Sequence, residues 1–185
     1  AEEGVKSLGI PYKKIILQPI LKELGKYDML SRLVSVPIIA RSGLFIMKRL
    51  AGRKMLYSMN PEEIKSGNKI ISRLIGTATV CGILKWRTRM ILLYKYALIN
   101  NYAVLGTTNR TEYILGHYDP YGDGAVDIEC IVHLYKTQVF QLAKYLNIPD
   151  KIINKRPYPD WLPGIFDIDL IGMKYEKVDT ILALM

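Results

Sequence analysis

Residues 106–127 read GTTNRTEYILGHYDPYGDGAVD. The apolar run Tyr102-Ala103-Val104-Leu105 that precedes them has strand character and stops at Gly106. Small polar residues follow, then a short helix, then a glycine-rich turn. In an open α/β sheet such a transition stands at the carboxyl end of a strand, where ligands bind. Backbone N–H groups, the hydroxyls of Thr107 and Thr108 and a carboxylate gathered there suit a phosphate and its metal ion.

Each polar residue of the stretch also has a plainer reading. Glu112 follows Asn109 by three positions, so the two form a capping box at the helix start, or the Glu112 carboxylate coordinates magnesium shared with nucleotide phosphates. Thr107 and Thr108 are either caps or phosphate contacts. In Tyr121-Gly122-Asp123-Gly124 the Asp-Gly pair is a common turn signal and carries little by itself.

Working outward, Ile83, Trp86, Met90, Leu93, Tyr94 and Ala97 fall on one helical face and predict an amphipathic helix leading into the strand at Tyr102. Tyr135, Val139, Leu142 and Leu146 mark a second helix from Leu134, halted near Asn147 ahead of Pro149. Residues 151–155 add a turn and residues 175–184 read as a further helix. At the other end, residues 1–8 read as the last turns of a helix stopped by Gly9, residues 12–17 as a strand, and Pro19 as the first turn of a following helix. From Leu33 to Val80 the periodicity is broken by Pro37, Gly43, Gly52, Pro61, Gly67 and Gly76, and no element is assigned. Helices alternating with short apolar strands indicate a parallel sheet with crossover helices. The expected fold is a Rossmann-like α/β fold with only part of its sheet present.

Lys136 lies in the first turn of its helix, where the macrodipole disfavours a cation by roughly 0.3–1 kcal/mol. Glu129 is the acid that closely precedes it. An anion seated on the helix N-terminus would explain the lysine; an exposed lysine tolerated at small cost is the alternative. Arg87 borders the apolar stripe of its helix and Arg89 points further away. Either is a surface charge or a bidentate partner for phosphate or carboxylate.

Composition bounds the partners. The 185 residues suit one domain, with half the residues hydrophobic and 23% charged. A formal net charge of +9 favours anionic partners without choosing among them. Arg41, Lys48, Arg49, Arg53, Lys54, Lys65, Lys69 and Arg73 crowd one stretch, read as a solvated basic face. Only Phe45 and Tyr57 interleave them, so a nucleic-acid-binding module ranks below an enzyme. The opening Ala1-Glu2-Glu3-Gly4 is no signal peptide, and the apolar stretch from Val34 to Met47 is interrupted by Ser35, Pro37, Arg41 and Ser42, so no membrane span is expected. Cys81 and Cys130, with two histidines, assemble no zinc site. The default location is cytoplasmic.

The stretch resembles the ammonia-dependent NAD synthetases, whose corresponding segment runs Gly-Thr-x-x-x-x-Glu and then Tyr-Gly-Asp-Gly-x-x-Asp. Further matches follow in order. Arg87-Thr88-Arg89-Met90 looks like the family's Ala-Arg-x-Arg-Met helix, and Leu134-Tyr135-Lys136-Thr137-Gln138-Val139 like its Leu-Tyr-Lys-Thr-Gln-Val start. Lys155-Arg156-Pro157-Tyr158-Pro159-Asp160, with Pro163-Gly164 and Asp167, is similar to its Lys-x-Pro-Ser-x-Asp and Pro-Gly-x-x-Asp run. The resemblance extends from about Lys6 to Asp179 and strengthens after Ile83.

It implies a fold of the adenine nucleotide α-hydrolase type and a homodimer with the helix around Arg87 near the interface, where Trp86 and Met90 are partly buried against the second copy. It also implies a ligase: ATP activates the carboxylate of deamido-NAD as an adenylate, pyrophosphate leaves, and ammonia displaces AMP. By resemblance Thr107 contacts ATP, Glu112 binds magnesium, Lys136 reaches the ATP phosphates, and Arg87 and Asp127 hold deamido-NAD. Several family features are absent from this sequence. The Ser-Gly-Gly-x-Asp-Ser pyrophosphatase loop does not occur, Pro120 stands where a lysine is expected, Tyr158 where a serine or threonine is, and a His-Lys pair is missing. The chain is therefore expected to be one N-terminally incomplete domain over residues 1–185 with an insertion at 33–80, silent as a catalyst on its own. The competing readings are another ATP pyrophosphatase of this fold, amidating or thiolating a different acceptor, and a non-catalytic nucleotide- or RNA-binding relic.

Overall fold

The computed structural model describes residues 2–24, scattered positions between 36 and 45, residues 69–160 and residues 164–185. Much of the expected insertion at 33–80, most of the basic stretch from Arg41 to Arg73, and Pro163 lie outside the described residues.

Helix α1 (Glu2–Ser7) ends where Gly9 turns the chain with φ +64°. Helix α2 (Gln18–Glu23) carries Pro19 in its first turn, where a missing N–H costs no helical bond. Residues 12–17, expected as a strand, pair in no ladder among the described residues. Tyr12 and Ile16 stay open to solvent, Lys14 bonds Glu2 at 3.0 Å, and the Lys13 ammonium lies over the Tyr96 ring. Local β propensity becomes a strand only where a neighbouring strand supplies hydrogen bonds.

Helix α3 (Lys69–Asn100) has 32 residues and is longer than the sequence pattern indicated, running through Gly76. At 1.5 Å per residue it spans about 48 Å. Its buried face carries Trp86, Met90 and Ala97, as the spacing predicted. The helix ends on Asn101, left-handed at φ +54°, with Tyr102 N–H donating to the Ala97 carbonyl and Asn101 N–H to that of Leu98. This pair of bonds is a Schellman cap, which asparagine tolerates better than most residues.

Only Leu105–Gly106 (β1) of the expected strand is paired, because Val104 N–H donates to the Asp127 side chain at 2.8 Å. Its partner is Ile128–Glu129 (β2), parallel, with Leu105 opposite Ile128 and Gly106 opposite Glu129. Two residues are too few to show an alternation, so β2 left no mark in the sequence. Helix α4 (Arg110–Leu115) lies between the strands and completes a small βαβ unit. Helices α5 (Lys136–Tyr145), α6 (Asp150–Ile153), α7 (Asp167–Ile171) and α8 (Tyr175–Ala183) follow. Helix α5 starts at Lys136 with Tyr135 as its extended N-cap, and the chain turns at Asn147, φ +53°.

Helices α4, α5 and α8 pack pairwise on one another, and α2 packs on α3. One apolar cluster joins Met90, Ala97 and Val104 to Tyr94 and Val126; a second joins Ile171, Tyr175 and Val178 to Leu115, Met173 and Leu182. The glycine-rich turn presses directly on α3: a Cβ at Gly122 would stand 2.9 Å from the Trp86 Cβ. Trp86 and Met90 are thus covered within the single chain, at 8% and 6% exposure, and need no second copy to bury them.

Candidate functional site

Beyond the carboxyl end of β1 lies a cavity of about 460 Å³, within the size range of small-molecule sites. Thr107, Glu112 and Lys136 line it together. Trp86 and Arg89 contribute from α3, and Tyr158 and Asp160 face it from the segment that precedes residue 161.

Both readings of Glu112 find geometry here. Its N–H donates to Asn109 Oδ1 at 3.1 Å, and its Oε2 accepts from Asn109 N–H at 3.2 Å, so the capping box is formed. The other oxygen, Oε1, lies 2.7 Å from Lys136 Nζ, with both side chains less than one-fifth exposed. The acid that faces Lys136 is therefore Glu112 and not Glu129.

The N-terminus of α5 holds an anion, but one belonging to the protein. Thr137 N–H donates to Asp179 Oδ2 at 2.8 Å, and Lys136 N–H donates to Thr111 Oγ1 at 2.9 Å. Thr111 Oγ1 in turn donates to Asp179 Oδ1 at 2.5 Å. Thr111 and Asp179 are buried at 0% and 5% exposure. The carboxylate on α8 thus satisfies the helix dipole that the sequence left open, and the Lys136 ammonium, not the helix amides, remains turned to the cavity.

Beneath Lys136 the Tyr175 ring lies 5.3 Å from Nζ, and the Tyr175 hydroxyl donates to Asp167 Oδ2 at 2.6 Å. Burial, then the Asp167 charge, pushes the Tyr175 phenol far above the usual tyrosine range. Burial alone would raise the Asp167 carboxyl, but His117 and Tyr175 outweigh it and hold the group below the ordinary carboxylate range. Asp167 Oδ1 is buried and accepts no hydrogen bond among the described residues; His117 Nε2 stands 3.8 Å away.

On the facing side, Asp160 bridges two cations one turn apart on α3. Oδ1 bonds Lys85 Nζ, and Oδ2 accepts from Arg89 Nη2 at 2.7 Å. Burial works against the ionised Asp160, yet Lys85 and Arg89 hold its carboxyl below the ordinary range. Arg89, read from the sequence as pointing away, reaches the cavity; Arg87 does not line it. Arg87 grips the buried Asp119 with Nε and Nη2 at 2.8 and 3.1 Å, and stacks over Tyr121. Asp127, also outside the cavity, accepts from Val104 N–H and from Tyr94 Oη–H at 3.0 Å, tying β1 to α3. Asp119 and Asp179 were overlooked in the sequence, where isolated carboxylates give no signal until their partners, 32 and 42 to 68 residues away, are known.

Charge decides what the cavity admits. Glu112, Asp123, Asp160 and Asp167 line it against Arg89 and Lys136. Desolvation, supported by the charges of Asp119 and Glu112, pushes the Asp123 carboxyl up despite backbone hydrogen bonds to it. A polyphosphate entering alone would meet more acids than bases, and a divalent cation resolves the conflict. No group of three or more His, Cys, Asp or Glu able to hold a metal is found among the described residues. A divalent cation held here would therefore take its ligands mainly from phosphate oxygens and water rather than from an all-protein cage. Among the described residues no helix is long and apolar enough to cross a membrane.

The family model for NAD synthase matches residues 42–185. The chain belongs to the NAD synthase family. It is 42% identical over 187 residues to the NH(3)-dependent NAD(+) synthetase of Thermotoga maritima, covering 98% of this chain and 63% of that relative. Among solved structures it is similar to the NMN synthetase from Francisella tularensis, with a TM-score of 0.55 and 40% identity over 57% of this chain and 44% of that one. It is also similar to the NH3-dependent NAD synthetase from Campylobacter jejuni in complex with the nitrate ion, at TM-score 0.52 and 26% identity over 82% and 46%. The fold is accordingly Rossmann-like α/β, with a two-stranded parallel sheet among the described residues. The chain spans less than two thirds of the length of these NAD synthase relatives.

Proposed function

We propose that this chain forms the acyl-transfer part of a ligase that amidates deamido-NAD to NAD with ammonia, at the expense of ATP cleaved to AMP and pyrophosphate. The observation that carries the reading is the convergence of Thr107, Glu112 and Lys136 on one cavity at the carboxyl end of parallel strands. In this reading the Thr107 hydroxyl bonds ATP, and Lys136 opposes the charge that builds on the departing pyrophosphate. Magnesium, when bound beside Glu112, supplies further positive charge to the phosphates. Arg87 and Asp127 lie along α3 outside the cavity, so deamido-NAD runs past them with its carboxylate towards Lys136. Holding carboxylate and α-phosphate in line supplies much of the rate, and no side chain serves as covalent nucleophile.

The same reading makes the protein a cytoplasmic homodimer. Ile91, Leu98 and Ile99 on the outer side of α3, 67%, 79% and 73% exposed, support an interface there. Light scattering across a dilution series tests it, and a monodisperse monomer at micromolar concentration counts against it.

The Ser-Gly-Gly-x-Asp-Ser loop does not occur in the 185 residues. The chain alone is therefore expected to release no pyrophosphate from ATP with deamido-NAD, magnesium and ammonium. A chimera carrying the preceding segment of the Thermotoga maritima relative is expected to form NAD, and to lose that activity on Lys136→Met. A folded chimera that makes no amide sinks the reading. The similarity to an NMN synthetase favours one second reading, a mononucleotide acceptor, which a chimera yielding NMN in preference to NAD would support.

A further inference from the structure

We propose that Arg89, on the wall of the cavity, and Lys85, one turn before it, form a second phosphate-binding subsite, separate from Lys136, which Asp160 occupies until a polyphosphate displaces it. The inference deepens the proposed function and rests on it only for the identity of the nucleotide. Lys85 and Arg89 stand one turn apart on α3, so their side chains leave the same face of a rigid helix. A single carboxylate serves both, leaving one positive charge in excess. Of the five N–H donors of Arg89, one makes a hydrogen bond among the described residues, from Nη2 to Asp160. A guanidinium presents a fork that fits two phosphate oxygens, and a phosphate brings more charge and more acceptors than the carboxylate it would replace.

Exchange is physically accessible. The three side chains are 23%, 41% and 32% exposed, so the ion pairs are open to solvent and their net contribution is small. Lys136, by contrast, is already matched by the less exposed Glu112. Moving Asp160 aside also removes one of the four carboxylates that line the cavity, easing the entry of a polyanion. Asp160 holds its place with φ +55°, a backbone region rare for residues other than glycine, asparagine and aspartate.

The probe is inorganic pyrophosphate, titrated calorimetrically into the 185-residue chain at low ionic strength without divalent cation. Asp160→Asn is expected to tighten binding about tenfold, since a neutral amide no longer competes for the cations. Adding Arg89→Met should abolish that gain. Unchanged or weaker binding in Asp160→Asn, or no binding in any form, overturns the proposal. Where Asp160→Asn fails to fold, the Arg89 Nε–Hε resonance of the unaltered chain decides between the outcomes. It is expected to shift on pyrophosphate addition, and an unmoved resonance beside shifting Lys136 signals overturns the subsite. Tightening by Asp160→Asn while the chimera makes no amide would sink the proposed reaction and leave the subsite standing; the reverse pattern would do the opposite.

Discussion

Two walls of one cavity are built on opposite principles. The wall formed by α4, α5 and α8 is pinned by buried polar bonds: Asp179 to Thr111 and Thr137, and Tyr175 to Asp167. The wall between α3 and residues 155–160 is held by Asp160 against Lys85 and Arg89, all partly open to water. A hydrogen bond whose partner is removed in a dry place leaves the full desolvation penalty behind, whereas an exposed ion is simply rehydrated. Distances in the two walls are alike, so burial and not geometry separates a fixed surface from an exchangeable one.

Mutation can break or sharpen that contrast. The largest effect belongs to Asp179→Ala, which strands the Thr137 N–H and the Thr111 hydroxyl at once. It is expected to cost about 3 kcal/mol, seen as a fall of roughly 6–12 °C in melting temperature. A loss below ~1 kcal/mol would put Asp179 on the same footing as the exposed pairs. Lys136→Met should cost about 1–2 kcal/mol, between the exposed and fully buried limits, because it leaves Glu112 unpaired. Urea denaturation measures it, and Glu112→Gln/Lys136→Met should recover part of the loss.

Titration gives the next test. The Asp167 carboxyl is held low in the fold, so its contribution is fully present above the ordinary value near 4 and is lost as pH falls through the lower folded value. The Tyr175 phenol is held high, so the folded chain resists ionising it and stability falls as pH rises beyond about 10. In melting curves against pH, Tyr175→Phe should flatten the alkaline fall, and Asp167→Asn the acid one. The smallest effect is that of Asp160→Asn on stability, about 0–1 kcal/mol. A loss as large as that of Asp179→Ala would mean that the second wall is as fixed as the first.

The sequence showed the local parts of this arrangement and concealed the distant ones. Asn109 and Glu112 are three residues apart, and their capping box was legible as spacing. The apolar stripe through Trp86, Met90 and Ala97 announced α3, and Gly9, Asn147 and Pro19 marked helix limits correctly. Residues 12–17 are β-prone yet form no ladder among the described residues, because local propensity does not reveal a partner strand. Lys136 stands out in the sequence for its unfavourable place on the dipole, yet no periodicity links that helix start to its answering anion, Asp179. Arg89 reaches the cavity against the expectation of the helical wheel, which orders faces but does not say which loop folds over them. Spacing left Thr107 and Glu112 open between cap and phosphate contact, since both use the same residue types; the roles proposed for them rest on motif resemblance, and the structure adds that both line one cavity.

The span of the Thr111–Asp179 bond, 68 residues, has a kinetic consequence. The capping box and the βαβ unit close short loops, and short loops form early at little entropic cost. Asp179 can reach Thr111 only after a long loop has been ordered, so the fixed wall should be assembled late. Refolding rates should then respond to Asn109→Ala, whereas Asp179→Ala should chiefly accelerate unfolding. The half of the cavity that is hardest to disturb at equilibrium would be the last to exist.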